Sequence, residues 1–348
     1  NIGHFIFRNI GKIEAKFFKF ISRFFNISEF NFNEYSMRFF YILYSLFSNF
    51  AYNIKSLRIF LNKNTQKHIS DILECDVILY QGGAYINSWN IKSRVYMYLF
   101  PAYIASLNGK LVFASGLNLG PFNKIDNFFV HRILKNFSLI GLRDKKESME
   151  IIDKWGGRMK EITHFSNDDA IGLRTDANIE ISDILGSTKP YVAINIHYWM
   201  LDPESWVTAK KNISSIIKYV HDLTECNFVA VPMIFTDVEE AYDIAAIKEV
   251  FLESGVGFGE LLIPSLPLSI DTAKALYSNA IATIGSRHHS MVLSVSSDTP
   301  AVALIFDEYY KMKHLGVANE FEEIVYINDV FHPVDKNGLK KFISKNFK

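Results

Sequence analysis

Thr283-Ile-Gly-Ser-Arg-His-His-Ser-Met-Val-Leu-Ser-Val-Ser-Ser-Asp-Thr-Pro-Ala-Val-Ala-Leu-Ile-Phe306 holds a strand, a polar turn, a helix and a second apolar strand in that order. A strand that feeds a helix and returns as another strand implies parallel sheet with a right-handed crossover. The turn Gly285-Ser-Arg-His-His289 sits at the helix start, where free N–H groups and the helix dipole favour negative charge. Arg287 adds a bidentate fork for phosphate or carboxylate, and His288 and His289 add groups that move protons near neutral pH. Together they suggest chemistry on an anionic substrate.

The same alternation extends outward in both directions. Asp76–Tyr80 reads as a short strand that ends in Gln81-Gly-Gly-Ala-Tyr85, and Arg94–Leu107 reads as the helix after it. Lys110–Ser115 is the next strand and runs into a loop, Gly116-Leu-Asn-Leu-Gly-Pro121; Phe137–Leu142 follows, ending at Arg143-Asp144, with a helix from Lys146 to Trp155. After a polar stretch, Arg174–Pro190, strands at Tyr191–His197 and Asn227–Ile234 alternate with helices at Ser205–Leu223, Val238–Glu253 and Leu268–Tyr277. The expected fold is therefore α/β, with two Rossmann-like domains facing each other across a cleft (GT-B-like). Residues 1–175 form the first domain with a helical N-terminal region, residues 176–330 the second, and residues 331–348 a helix expected to pack back on the first. Ligands of such sheets bind outside the carboxyl ends of the strands, where Gly82, Gly83, Asn118 and Arg143 fall. On the Tyr191 strand, Asn195 and His197 share a face by alternation and are candidates for sugar contact.

A chain of 348 residues suits two domains, and 37 basic against 37 acidic residues give no sign of a nucleic-acid partner. Cys75 and Cys226 lie far apart, without metal-ligand spacing, as expected of buried thiols in a reducing compartment. No apolar run reaches the roughly 18 residues of a membrane span, so the expected location is the cytoplasm. The first fifty residues are unusual in holding 13 of the 30 phenylalanines. Ile13, Phe17, Phe20, Ile21 and Phe24 recur at helical spacing among Lys12, Lys16, Lys19 and Arg23. Such a helix can pack its Phe stripe on a core, or lie on an anionic membrane at its inner face.

These motifs, in this order, resemble the polysaccharide pyruvyl transferases. Gln81-Gly-Gly83 looks like that family's glycine-rich turn, Gly116–Pro121 like its Gly-x-x-x-Gly-Pro loop, and Arg143-Asp-Lys-Lys-Glu-Ser148 is similar to its Arg-Asp element. Gly285-Ser-Arg-His-His289 resembles its Gly-x-Arg-x-His element, which aligns His289 rather than His288 with the family histidine. Asp307–Lys313 stands where the family has a shorter Tyr-x-x-Lys, so either Lys311 or Lys313 matches its lysine. Asn1-Ile-Gly-His4 is similar to the family's Asn-x-Gly-Asp loop, with His4 where an aspartate is usual and the preceding strand before Asn1.

The resemblance implies an enzyme of exopolysaccharide biosynthesis that moves pyruvate from phosphoenolpyruvate to a sugar or lipid-linked saccharide as a ketal. Phosphoenolpyruvate is a donor substrate, and no cofactor or metal is expected. Its phosphate and carboxylate need two sets of cationic donors, for which Arg143 and Arg287 would face each other with Lys311 or Lys313 between. His289 would be the general acid and base, with His288 beside it. Bland readings stand next to these: Arg143 pairs with Asp144 or Glu147 at a helix start, His288 is structural, and Asp168-Asp169 is a solvated acidic pair. Two other functions fit the same fold. One is a GT-B-type glycosyltransferase using a nucleotide sugar; the other is an inactive scaffold of glycan assembly, an option kept alive by His4. If His289 moves the proton, His289→Ala should lower turnover roughly 10²–10⁴-fold and leave the thermal midpoint near wild type. Turnover within a factor of two of wild type would remove it from the chemistry.

Overall fold

The computed structural model describes residues 47, 49–54, 57, 61, 63–88, 94–176, 178–198, 201–234 and 240–347. The basic Phe-rich helix and the Asn1–His4 loop lie outside them. The described chain folds as two parallel α/β units, each around its own sheet.

In the first unit the elements are α1 (Lys63–Glu74), β1 (Val77–Tyr80), β2 (Gly83–Ile86), α2 (Arg94–Leu107), β3 (Leu111–Leu119), α3 (Lys124–Leu134), β4 (Leu139–Leu142), α4 (Glu147–Trp155), α5 (Arg158–Ile162) and β5 (Thr163–Phe165). The sheet order is β1-β3-β4-β5, all parallel, with β2 continuing along β3 beyond β1. Each crossover steps the same way, so right-handed connections place α2, α3, α4 and α5 on one face. There Leu99, Val130, Leu134 and Ile152 close over Val112, Ala114, Ile140 and Leu142. On the other face Val77, Leu79, Leu111 and Leu139 stand exposed.

Two segments read as loops are strands. Gly83–Ile86 is β2, and β3 runs on to Leu119 through what the sequence suggests is a glycine loop. Gly116 makes that possible, because its φ of 58° bends β3 and the pairing with β4 shifts register between Ala114 and Leu117. The bend carries Asn118 to the carboxyl edge of the sheet, beside Arg143.

The second unit comprises α6 (Ile181–Leu185), β6 (Tyr191–Asn195), α7 (Pro203–Thr224), β7 (Asn227–Ala230), α8 (Glu240–Ser254), β8 (Leu261–Leu262), α9 (Ile270–Ser278), β9 (Ala282–Gly285), α10 (His288–Val295), β10 (Ala301–Ile305), α11 (Glu308–Glu320), β11 (Val325–Asp329) and α12 (Lys336–Asn346). Its order is β11-β10-β9-β6-β7-β8, again parallel. From β6 the chain steps outward through β7 and β8, then returns to place β9 on the other side. The reversal between β6 and β9 is a topological switch point. Both faces are covered: Val192, Ile194, Ile284 and Val302 pack under α7 and α8, while Tyr191, Ala193, Ala301 and Ala303 face α9, α10 and α11. This is why these strands are apolar throughout rather than alternating.

The C-terminal helix corrects the expectation that it packs back on the first domain. Leu339 and Ile343 enter the core of the second unit with Val330, Phe342 stacks near Tyr326 with ring centroids 5.6 Å apart, and the Tyr219 hydroxyl donates to the Lys336 carbonyl at 3.2 Å. Val330, immediately after β11, already lies in this core, and the i, i+4 pair Leu339 and Ile343 extends it. Leu339→Ala should cost about 2–5 kcal/mol in urea unfolding. A loss below about 1 kcal/mol would show that this side chain is not a core element.

Candidate active site

The two units meet where the carboxyl end of β4, the segment after β5 and the start of α10 converge. Arg143 leaves β4 almost fully buried, and its Nη1 donates to Asp168 Oδ2 at 2.6 Å while its Nε donates to Asn118 Oδ1 at 2.5 Å. Asn118 in turn donates to Asp144, which also accepts from the Ser148 backbone N–H and hydroxyl at the start of α4. Thus Asp144, not Arg143, caps the helix, and Arg143 is freed to point at the second unit.

Asp168 is the junction. It accepts from Arg143, from His288 Nε2 at 3.2 Å and from the Ala170 backbone N–H at 3.0 Å. Burial acts to raise its pKa, but the His288 hydrogen bond and the Arg143 charge outweigh burial and hold the carboxyl well below the usual carboxylate range. His288 moves the other way: burial first, then the Arg143 charge, keeps it neutral. A neutral ring facing a carboxylate must present its N–H, so Nε2 donates and Nδ1 keeps a buried lone pair with no partner among the described residues. The solvated pair expected at Asp168-Asp169 is therefore half wrong. Asp168 is buried between the units, while exposed Asp169 accepts from the Gly82 N–H at 2.8 Å and the Ser115 hydroxyl at 2.5 Å. A Cβ at Gly82 or Gly116 would press on that carboxylate at 2.9–3.0 Å, which explains both glycines. Gly83 lies inside β2, against the Tyr85 ring.

A crevice lined by Asn118, Arg143, Asp168, His288, Lys313 and Glu320 opens here, with a cavity of about 20 Å³, room for a water or two. Lys313 Nζ sits 4.0 Å from the Tyr309 ring centroid, and burial, with the Arg143 charge added, pushes its pKa down to about 7. Lys311 is not brought to the crevice: it is exposed and pairs with Glu308 at 3.0 Å. At about 100° per residue, Lys313 lies roughly 200° round α11 from Lys311, and it is Lys313 that faces the crevice. His289 is exposed beside His288, with ring centroids 5.3 Å apart. Partial desolvation lowers its pKa, Asp168 opposes this, and Arg143 and Lys313 add to it.

At the switch point, Arg287 forms a bidentate pair with the fully buried Asp243 of α8, with Nη2–Oδ1 at 2.6 Å and Nε–Oδ2 at 3.0 Å. Asn195 is fully buried rather than open to a sugar; it donates to the Val231 carbonyl and to Asp243, and its Oδ1 accepts from the Arg287 backbone N–H. His197 is also closed off. Its Nδ1 meets Ser286 at 2.6 Å and its Nε2 meets the Tyr310 hydroxyl at 2.7 Å, and burial keeps it neutral. Both expected sugar contacts instead hold Arg287 and Tyr310 in place. No signal in the sequence marks Asp243, which becomes a partner only because α8 packs against the ends of β6 and β7.

A family model described as polysaccharide pyruvyl transferase matches residues 6–308. The chain belongs to this family. Solved structures share the fold with little sequence identity. A putative UDP-N-acetylglucosamine 2-epimerase from Listeria monocytogenes aligns with TM-score 0.53 and 11% identity over 79% of this chain and 68% of that one. MnaA of S. aureus with UDP gives 0.52 and 13% over 83% and 78%, and the UDP-GlcNAc 2-epimerase of Methanocaldococcus jannaschii 0.52 and 11% over 82% and 76%. No curated protein matches the sequence. The fold is thus the two-domain GT-B type expected from the strand order, and polysaccharide pyruvyl transfer is the activity that its family's description names.

The Asp168 carboxyl has a lower pKa folded than unfolded, so its stabilising contribution is complete above about pH 4 and is lost as pH falls further. Asp168→Asn should lower the urea midpoint at pH 7 and make the midpoint fall less between pH 5 and pH 3 than in wild type. Equal slopes for the two proteins would show that Asp168 is not ion-paired.

Proposed function

We propose that the enzyme transfers the pyruvyl group of phosphoenolpyruvate to two hydroxyls of a sugar, forming a pyruvate ketal on a cell-surface polysaccharide or its precursor. Besides family membership, one arrangement carries this reading. Arg143 from the first unit and Lys313 and His288 from the second line one interdomain crevice, with exposed His289 beside His288 and Arg287 immediately before it in the chain, at the switch point. A donor with a phosphate and a carboxylate needs two cationic ends held apart, and this cleft supplies them from opposite walls. Arg287 has an Nη1 without a partner among the described residues, and Lys313 has no acidic partner there, so each retains capacity for a substrate anion.

The reaction needs proton movement rather than a metal or a resident cofactor. Of the two hydroxyl protons that the sugar loses, one ends on the donor methylene, which becomes a methyl, and one leaves with phosphate. His289, an exposed imidazole whose pKa is lowered, is mostly neutral at pH 7 and suited to accept a hydroxyl proton. The acceptor would approach from its side. A lipid-linked acceptor at the cytoplasmic face of a membrane would give the basic Phe-rich N-terminal segment a purpose.

Isothermal titration should show phosphoenolpyruvate binding to the wild type, and Arg287→Lys should weaken it roughly tenfold or more by losing the fork, at unchanged fold. Clear binding of a nucleotide sugar with none of phosphoenolpyruvate would replace this reading by glycosyl transfer.

A further inference from the structure

Two proton transfers are needed in the reaction proposed above, and the crevice offers few groups free to make them. Arg143 and Arg287 are each tied to a carboxylate. His288 is bound to Asp168, His197 is held by Ser286 and Tyr310, and His314 is fully buried. Lys145, at the rim, is paired with Glu320. Among the described residues two carriers remain, Lys313 and His289, and they lie at different depths. Lys313 lines the crevice with Arg143 and Asp168, its ammonium steadied by the Tyr309 ring face and not by a carboxylate. His289 stands exposed.

We propose that Lys313 is the acid that protonates the methylene carbon of the donor, leaving His289 to accept the proton of the attacking sugar hydroxyl. This assignment rests on the pyruvyl-transfer reading. The Nζ–H bond breaks as the π pair of the enol forms the new C–H bond, and the adjacent carbon becomes an oxocarbenium centre. The first sugar oxygen bonds to that carbon and passes its proton to His289. The carbon–oxygen bond to phosphate then breaks, the oxygen keeping the pair. The second sugar oxygen closes the ketal, its proton leaving with phosphate, and the His289 proton returns to Lys313.

The surroundings suit that role. Burial first, then the Arg143 charge, disfavour the ammonium, while Asp307 and Asp168 favour it; the neighbouring imidazoles of His288, His289 and His314, each with a pKa lowered by burial, stay uncharged. The result is an amine near neutrality that a bound phosphate recharges.

Two measurements on Lys313→Arg test this, because arginine keeps the charge and cannot release a proton near neutral pH. At pH 8.5, titration of phosphoenolpyruvate in buffers of different ionisation enthalpy should show uptake of about one proton by wild type and close to none by the variant. Affinity should stay within about tenfold, while phosphate release with a panel of nitrophenyl hexosides falls roughly 10²–10⁴-fold. Equal proton uptake, or turnover close to wild type, makes Lys313 a binding charge only and overturns the assignment. Wild-type protein that does not bind phosphoenolpyruvate brings down the pyruvyl-transfer reading itself, and the assignment with it.

Discussion

The buried contact of Arg143, Asp168 and His288 is the constraint on which the site depends. Its members come from the end of β4, the segment between the sheets and the first turn of α10, so no local structure holds them together. A guanidinium and a carboxylate taken out of water are each costly alone and tolerable only as a pair with the remaining hydrogen bonds made. Here Asn118, Ala170 and His288 make those bonds. The Asp168–His288 bond then ties the first unit to the start of α10, next to His289.

The same device appears at the switch point, where Asp243 stands behind Arg287 and Asn195 braces both. In each case an arginine is oriented in advance by a carboxylate that it does not share with solvent. Orientation comes at the expense of net charge, so the two arginines present geometry more than attraction. Lys313, backed by an aromatic face, is the cation whose charge is still available to respond to a substrate.

Much of the fold was legible because apolar runs and turn residues act locally. The Thr283–Phe306 stretch showed its βαβ unit, the helices over Arg94–Leu107 and Leu268–Tyr277 lie within two residues of their expected bounds, and two parallel sheets followed from alternation. The short strands at Leu261–Leu262 and Thr163–Phe165 carry too few residues for a pattern, and Gly116 disguised half of β3 as a loop. Arg143, Arg287 and His289 could be named because strand ends and helix starts are where a parallel sheet exposes chemistry.

By itself, the sequence determined the elements, their order and the motif residues, since each depends on spacing along the chain. The tertiary structure alone decided which of those residues share a site. It chose Lys313 over Lys311 by the turn of one helix, buried Asn195 and His197 behind Arg287, and brought Asp168 and Asp243 into contact with arginines 25 and 44 residues away. It also sent the last helix to its own sheet. Those outcomes turn on the desolvation of charges and the filling of a particular core, which depend on distance in space and leave no period in the sequence.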